Sequence, residues 1–276
     1  MKYLIAVDLD GTLIEGLYNL KEFTIKVFKK VKELGHDIVI VTGRPFRSSY
    51  FVYKALGLDT PIINYNGSLI TNPLTKEIYY SDELDRDEVL KLYNERKEDY
   101  GLFFCEHFDN IYTNINADRF ELLMHINALS KTYTGDLNDI LKDNVHGSLI
   151  LAKEGHGKIL MDYINNNCQS FGARLWAWGP YKEIVELYSN KSSKGTALKC
   201  VREILGYDKE CVIACGDSQN DHEFFEEAGI TVSLKNADPR IQEKSTYVYH
   251  KRAEVEGLAH FFNEFFNLGI EDGNWY

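Results

Sequence analysis

Lys2-Tyr3-Leu4-Ile5-Ala6-Val7, followed directly by Asp8-Leu9-Asp10-Gly11-Thr12-Leu13, decides the architecture of this chain. The first six residues are almost uninterruptedly apolar, the pattern of a strand buried on both faces; a strand with one wet face would alternate. The run stops on two carboxylates and a glycine, residue types that favour turns. Downstream, Leu20 to Leu34 carries Phe23, Val27, Val31 and Leu34 at spacings of four and three, one face of an amphipathic helix. Asp37 to Val41 is a second buried run, Phe46 to Leu56 predicts a second helix, and Pro61 to Tyr65 a third strand. Strand alternating with helix predicts a parallel sheet with helices on both faces.

From about residue 68 the rhythm changes. Ser68–Thr71 and Glu77–Tyr80, split by Asn72-Pro73, predict a hairpin, and Asp85 to Glu98 a charged helix. Strands follow near Leu102–Cys105 and Ile111–Asn114, then a strand, helix, strand, strand order over Ser148–Ala152, Gly157–Asn166, Arg174–Trp178 and Glu183–Tyr188. After Lys194 the first rhythm returns, with a helix to Leu205, a buried run Cys211–Cys215, a helix Asn220–Ala228, strands Ile230–Ser233 and Tyr247–Tyr249, and a final helix from Glu254. The expected fold class is therefore α/β: a Rossmann-like parallel-sheet core of residues 1–81 and 189–276, interrupted by an inserted α+β domain over 82–188. No internal repeat is visible.

Composition narrows the function classes. Of 276 residues, 44% are hydrophobic and 26% charged, a soluble globular balance. The net charge of -11 disfavours a whole-surface partner that is polyanionic, so neither nucleic acid nor a membrane surface is expected. The N-terminal apolar run is too short for a signal segment or a membrane span. Five cysteines, at 105, 168, 200, 211 and 215, form no disulfide framework or zinc pattern, so reduced thiols and a cytoplasmic setting are expected. The eight histidines show no pair at helical ligand spacing, which points to core or surface roles and away from zinc.

Ligands of open parallel sheets bind beyond the carboxyl ends of the strands. Here those ends are Asp8-Leu9-Asp10-Gly11-Thr12, Thr42-Gly43-Arg44 and Gly216-Asp217-Ser218-Gln219-Asn220-Asp221. Four carboxylates would converge at one sheet edge, where like charges raise each other's pKa and destabilise the fold unless a cation offsets them. The all-oxygen donor set suits a hard ion, and Mg2+ prefers one or two carboxylates plus a substrate phosphate. Metal-assisted phosphoryl transfer is the chemistry this predicts.

These stretches, with Lys194-Gly195 between the second and third strand ends, resemble the four ordered motifs of the haloacid dehalogenase superfamily. The long insertion and the Asn66-Gly67 pair are similar to its Cof-type subgroup, whose members carry a large α/β cap and mostly hydrolyse small phosphate esters. The resemblance runs end to end, with one departure, Phe224, near which many relatives carry Met. It implies that Asp8 is the nucleophile forming an aspartyl phosphate and Asp10 the acid/base. It implies metal binding by Asp8, the Asp10 carbonyl and Asp217, with Asp221 orienting ligand waters or binding the ion directly. Thr42, Gly43, Lys194 and Asn220 would hold the phosphate, with Arg44 and Arg47 as further substrate contacts.

Taken alone, several of these residues have plainer readings. Asp-x-Asp-Gly is a common turn, Lys194 a solvated residue behind a Ser192 or Ser193 cap, and Asp217 and Asp221 dipole-stabilising carboxylates at a helix start. The Phe261, Phe262, Phe265 and Phe266 face reads as core packing. Trp176 and Trp178 share one strand face, as packing or as a stacking platform for a sugar or base. The expected activity is a Mg2+-dependent phosphatase for a small phosphorylated metabolite, most plausibly a sugar phosphate. The alternatives are a phosphomutase with the same nucleophile and a non-catalytic phosphometabolite-binding regulator.

Overall fold

Leu4, Ile5, Ala6 and Val7 are wholly buried and form β1 (Leu4–Val7), the fourth strand of a five-stranded sheet. In the computed structural model, which describes residues 1–273, the chain continues through α1 (Glu22–Glu33), β2 (Asp37–Ile40), α2 (Phe46–Leu56), β3 (Ile62–Asn64), β4 (Leu69–Thr71) and β5 (Ile78–Ser81). Next come α3 (Arg86–Glu95), β6 (Tyr100–His107), β7 (Asn110–Thr113), β8 (Lys131–Thr134), α4 (Leu137–Ile140), β9 (Gly147–Ala152), α5 (Gly157–Asn167), β10 (Phe171–Trp178) and β11 (Tyr181–Ser189). The chain ends through α6 (Lys194–Leu205), β12 (Val212–Cys215), α7 (His222–Glu226), β13 (Ile230–Leu234), α8 (Pro239–Gln242), β14 (Tyr247–Tyr249) and α9 (Gly257–Phe265). Two units separate: Met1–Arg44, Ser49–Tyr80 and Ser193–Tyr276 form one, Pro45–Ser48 and Ser81–Ser192 the other. The last three residues of the expected 189–276 segment lie outside the described residues.

In the first unit the sheet order is β14-β13-β12-β1-β2, parallel throughout. Leu4 and Ala6 face a cluster with Ala197, Leu198, Val201, Phe224 and Phe225 of α6 and α7, while alternation turns Ile5 and Val7 to the opposite face. Helices α1 and α9 pack together through Phe28 and Phe262, whose rings meet edge-on at 5.5 Å. The third predicted strand departs from expectation: β3 pairs antiparallel with β4 in a separate three-stranded sheet. It meets the parallel sheet at one isolated bridge, Val41 to Ile63. The Thr42 N–H donates to the Ile63 carbonyl at 3.0 Å as the chain turns away, which ends the ladder.

The second unit is an α+β layer pair. Its six strands run β10-β11-β9-β6-β7-β8, antiparallel except for β7 beside β8. One sheet face packs on helices through Val89, Tyr93, Phe103, Leu160, Ile164, Phe171 and Val185. The other carries Leu102, Phe104, Ile111, Phe120 and Met124. All five cysteines are free thiols, and no helix among the described residues is long and apolar enough to cross a membrane.

Candidate active site

Register aligns the strand ends. Val7 lies opposite both Cys215 and Ile40, so Asp8, Gly216 and Val41-Thr42 leave the sheet at one edge. The Asp8 N–H still donates to the Cys215 carbonyl at 2.9 Å, which fixes its backbone. Gly11, with φ +76°, turns the chain back, and a side chain there would collide with the Asp217 carboxylate. The Asn236 amide donates to the Gly11 carbonyl at 2.6 Å and accepts from the Ala253 N–H at 2.9 Å, bracing that turn.

Lys194 opens α6 behind Ser193, whose hydroxyl accepts the Thr196 N–H at 3.2 Å. Helix geometry carries the lysine inward, where it is 2% exposed. Its Nζ donates to Asp8 Oδ1 and to Asp221 Oδ1, each at 2.6 Å. A buried ammonium is costly unless paired. Burial pushes Lys194 down, but Asp221 and Asp8 outweigh it and hold the amine well above its ordinary value. The second Asp221 oxygen accepts the Asp217 and Ser218 N–H groups, both at 2.9 Å, and Thr12 Oγ1 lies 3.4 Å from Asp217 Oδ1.

Three carboxylates against one ammonium leave this pocket short of positive charge. Asp8 is pushed well above the usual carboxylate range, by burial first and then by Asp221 and Asp217, with Lys194 opposing. Asp217 is pushed up to about 7 by burial and by Asp221. Each of Asp8, Asp217 and Asp221 offers an oxygen within 4.8 Å of the others. The donors are all oxygen and the cluster lacks positive charge, so the residues fit a hard divalent cation.

Asp10 stands at the mouth of this cluster with 56% of its side chain exposed. The Arg44 guanidinium grips it from two sides, Nε to Oδ2 at 2.7 Å and Nη2 to Oδ1 at 2.5 Å. Arg44 also donates to the Leu17 and Gly16 carbonyls, so the fork is locked onto Asp10 and its loop. Thr42 is buried, and its hydroxyl accepts the Arg44 N–H at 3.1 Å. Gly43 packs tightly on Asn66, since a Cβ there would sit 3.0 Å from the Asn66 amide, and that amide in turn accepts from Asn220 Nδ2 at 2.9 Å.

The structure thus joins Asp8, Lys194, Asp221 and Asp217 in one hydrogen-bonded group, pairs Asp10 with Arg44, and sets Asn66 between Gly43 and Asn220. Arg47 is engaged elsewhere: in the second unit its guanidinium binds Glu106 at 2.5 Å and the Met124 carbonyl at 2.7 Å. Sequence reasoning missed Asn236 and the Arg44 grip on Asp10. Asn236 follows β13, so the strand-end rule reaches it; no signal in the sequence pairs Arg44 with Asp10.

Comparison with known proteins agrees in direction. A family profile described as haloacid dehalogenase-like hydrolase matches residues 5–262. The chain is 31% identical over 270 residues to the 5-amino-6-(5-phospho-D-ribitylamino)uracil phosphatase YitU of Bacillus subtilis, covering 96% of this chain and 98% of the relative. A haloacid dehalogenase-like hydrolase from Bacteroides thetaiotaomicron superposes with a TM-score of 0.84 at 22% identity, covering 96% of this chain and all of that one. A subclass IIB sugar phosphatase superposes with a TM-score of 0.75 at 19% identity, covering 96% of this chain and 99% of that one; at such identities the likeness is one of fold.

Proposed function

The chain belongs to the haloacid dehalogenase-like hydrolases, and we propose that it hydrolyses the phosphate monoester of a small metabolite in two displacements on Asp8. It is a phosphoric monoester hydrolase, and enzymes of its family generally use a divalent cation. In the first displacement Asp8 attacks phosphorus, the ester P–O bond breaks, and Asp10 gives its proton to the departing alcohol. In the second, Asp10 takes a proton from water as that water attacks the aspartyl phosphate, releasing phosphate and restoring the Asp8 carboxylate. Arg44 keeps Asp10 in place through both proton transfers. Lys194 opposes the effect of burial on Asp8 and favours the ionised carboxylate that attacks, while Thr42, the Gly43 N–H and Asn220 orient the phosphate.

Asp8, the Asp10 carbonyl, Asp217 and Asp221 would hold a Mg2+ ion, which neutralises charge on the phosphoryl oxygens. The observation that carries this reading is the buried Asp8 at a strand end, bonded to Lys194 at 2.6 Å beside two further carboxylates. A pure binding protein would have no use for a nucleophile coupled to a second carboxyl. We assign selection of the leaving group to the inserted segment 82–188, which carries none of the four motifs. The substrate class is a phosphorylated sugar or sugar alcohol, in keeping with the ribityl phosphate substrate named for the Bacillus relative. Phosphate release over a panel of phosphorylated sugars, polyols, nucleotides and cofactors, that ribityl compound included, tests it. A preference outside sugars and polyols overturns the substrate class, and phosphate returned to the substrate in place of release marks a mutase.

A further inference from the structure

Glu83, His146 and His107 are scattered in sequence, yet strand register in the second unit sets them in one row. β6 and β9 run antiparallel with Cys105 opposite Ser148 and Glu106 opposite Gly147, so the next rung places His107 opposite His146. Leu84 bridges Val145 antiparallel, with hydrogen bonds of 2.8 and 3.2 Å in the two directions, so the adjoining rung places Glu83 opposite His146. Side chains on directly opposite antiparallel residues project from the same face about 5 Å apart. His146 Nε2 lies 3.6 Å from Glu83 Oε1, and His107 Nε2 lies 3.7 Å from the same oxygen. Donors on a tetrahedral zinc ion with bonds of about 2.0–2.1 Å stand roughly 3.3 Å apart.

Support and access are present as well. His107 Nδ1 faces Asp143 Oδ2 at 3.8 Å, and a carboxylate behind an imidazole keeps the proton on Nδ1 and leaves Nε2 for a metal. His146 is buried, while the His107 and Glu83 side chains are 19% and 27% exposed, so an ion can enter from that side. We propose that Glu83, His107 and His146 form a second metal site, for a divalent transition ion such as zinc, that staples the start of the second unit to β9 and β6. Its imidazole donors set it apart from the all-oxygen cluster around Asp8, and the phosphatase chemistry makes no use of it.

Loading asks for three local changes. The Ser81 hydroxyl, 3.1 Å from His146 Nε2 and 3.2 Å from Glu83 Oε1, gives up both atoms to the ion. The His107 and His146 rings stack at 5.2 Å and 14°, so the partly exposed His107 ring turns to aim Nε2 at the shared point. The proton of His146 moves to Nδ1, giving up a long 3.4 Å contact from the Phe108 N–H. His146 is too buried to replace safely, so the test rests on its two partly exposed neighbours. The full-length protein, with its Asp8 cluster filled by excess magnesium, is titrated with cobalt(II) and with zinc. The proposal predicts one cobalt per chain with intense tetrahedral visible bands, displaced by zinc. His107→Ala and Glu83→Gln each weaken zinc binding by at least about tenfold, the scale on which even outer partners of metal ligands act, while magnesium-dependent phosphate release stays unchanged. Zinc that binds only in competition with magnesium, or with equal affinity to wild type and His107→Ala, overturns it.

Discussion

Asp8 is buried among carboxylates, and its charge rests on Lys194. Asp8→Asn should abolish turnover while circular dichroism shows the fold retained; more than a few percent of wild-type activity would sink nucleophilic catalysis by this residue. Asp10→Asn removes the proton carrier alone and should cost about 100- to 10,000-fold in kcat, the range of general acid–base catalysis. The two-point grip of Arg44 on Asp10 makes Arg44→Lys non-conservative, because an ammonium cannot reproduce a planar fork. That variant should lower kcat with little change in KM and shift the pH profile; an equal loss through KM alone would show that Arg44 binds substrate instead of positioning Asp10. Asp217→Ala, which removes one of three clustered carboxylates, should raise the magnesium concentration needed for half-maximal rate, and full activity in excess chelator would contradict the metal requirement.

Among the elements, the turns that end strands carry more of the site than the strands do. Asn66 has a left-handed φ of 54°, and Gly67 has φ +108° with the Ser193 carbonyl where a Cβ would go, so this turn lies against the start of the helix that delivers Lys194. Glu88, on α3, anchors the second unit in a comparable way. Burial pushes its carboxyl up, but the Ser170 hydroxyl and the Gln169 and Ser170 N–H groups more than offset that and hold it below its ordinary 4.5. A carboxyl depressed in the folded state binds its proton more readily when unfolded. Its stabilisation is therefore present above pH ~4.5 and lost as pH falls through the folded value. The thermal midpoint of wild type should fall more steeply than that of Glu88→Gln in this acid window; parallel acid limbs would show that the hydrogen bonds to Glu88 add nothing.

Strand ends were legible in the sequence because a strand buried on both faces reads as an apolar run, and Asp8, Thr42 and Asp217 each stand just past one. Pairing between distant elements was not. The Arg44 grip on Asp10 depends on how two loops meet, and the Glu83, His146 and His107 row depends on the register of β6 with β9 and on the isolated Leu84–Val145 bridge, which no spacing along the chain encodes. The separation of β3 from the parallel sheet was equally hidden, since a run of apolar residues does not say which neighbour it pairs with.

At the scale of the whole molecule, the proposed function gives the chemistry to the parallel-sheet unit and the choice of leaving group to the inserted unit. In the inserted unit a recess of about 610 Å³ is lined by Leu102, Arg119, Phe120, Leu151 and Tyr181, and Trp178 stacks on Tyr181 at 6.4 Å and 11°. Tyr181→Ala and Trp178→Ala should reorder kcat/KM among phosphorylated metabolites while a small generic phosphate ester keeps most of its rate. A uniform loss on all substrates would make these aromatics packing residues. The claim beneath all of this is the covalent step on Asp8. Acid quenching during turnover, followed by borohydride reduction and peptide mapping, tests it most directly. The account predicts a phosphoryl adduct on Asp8 that forms and decays at rates consistent with kcat and is absent from Asp8→Asn; turnover with no adduct, or with the adduct on another residue, would contradict it.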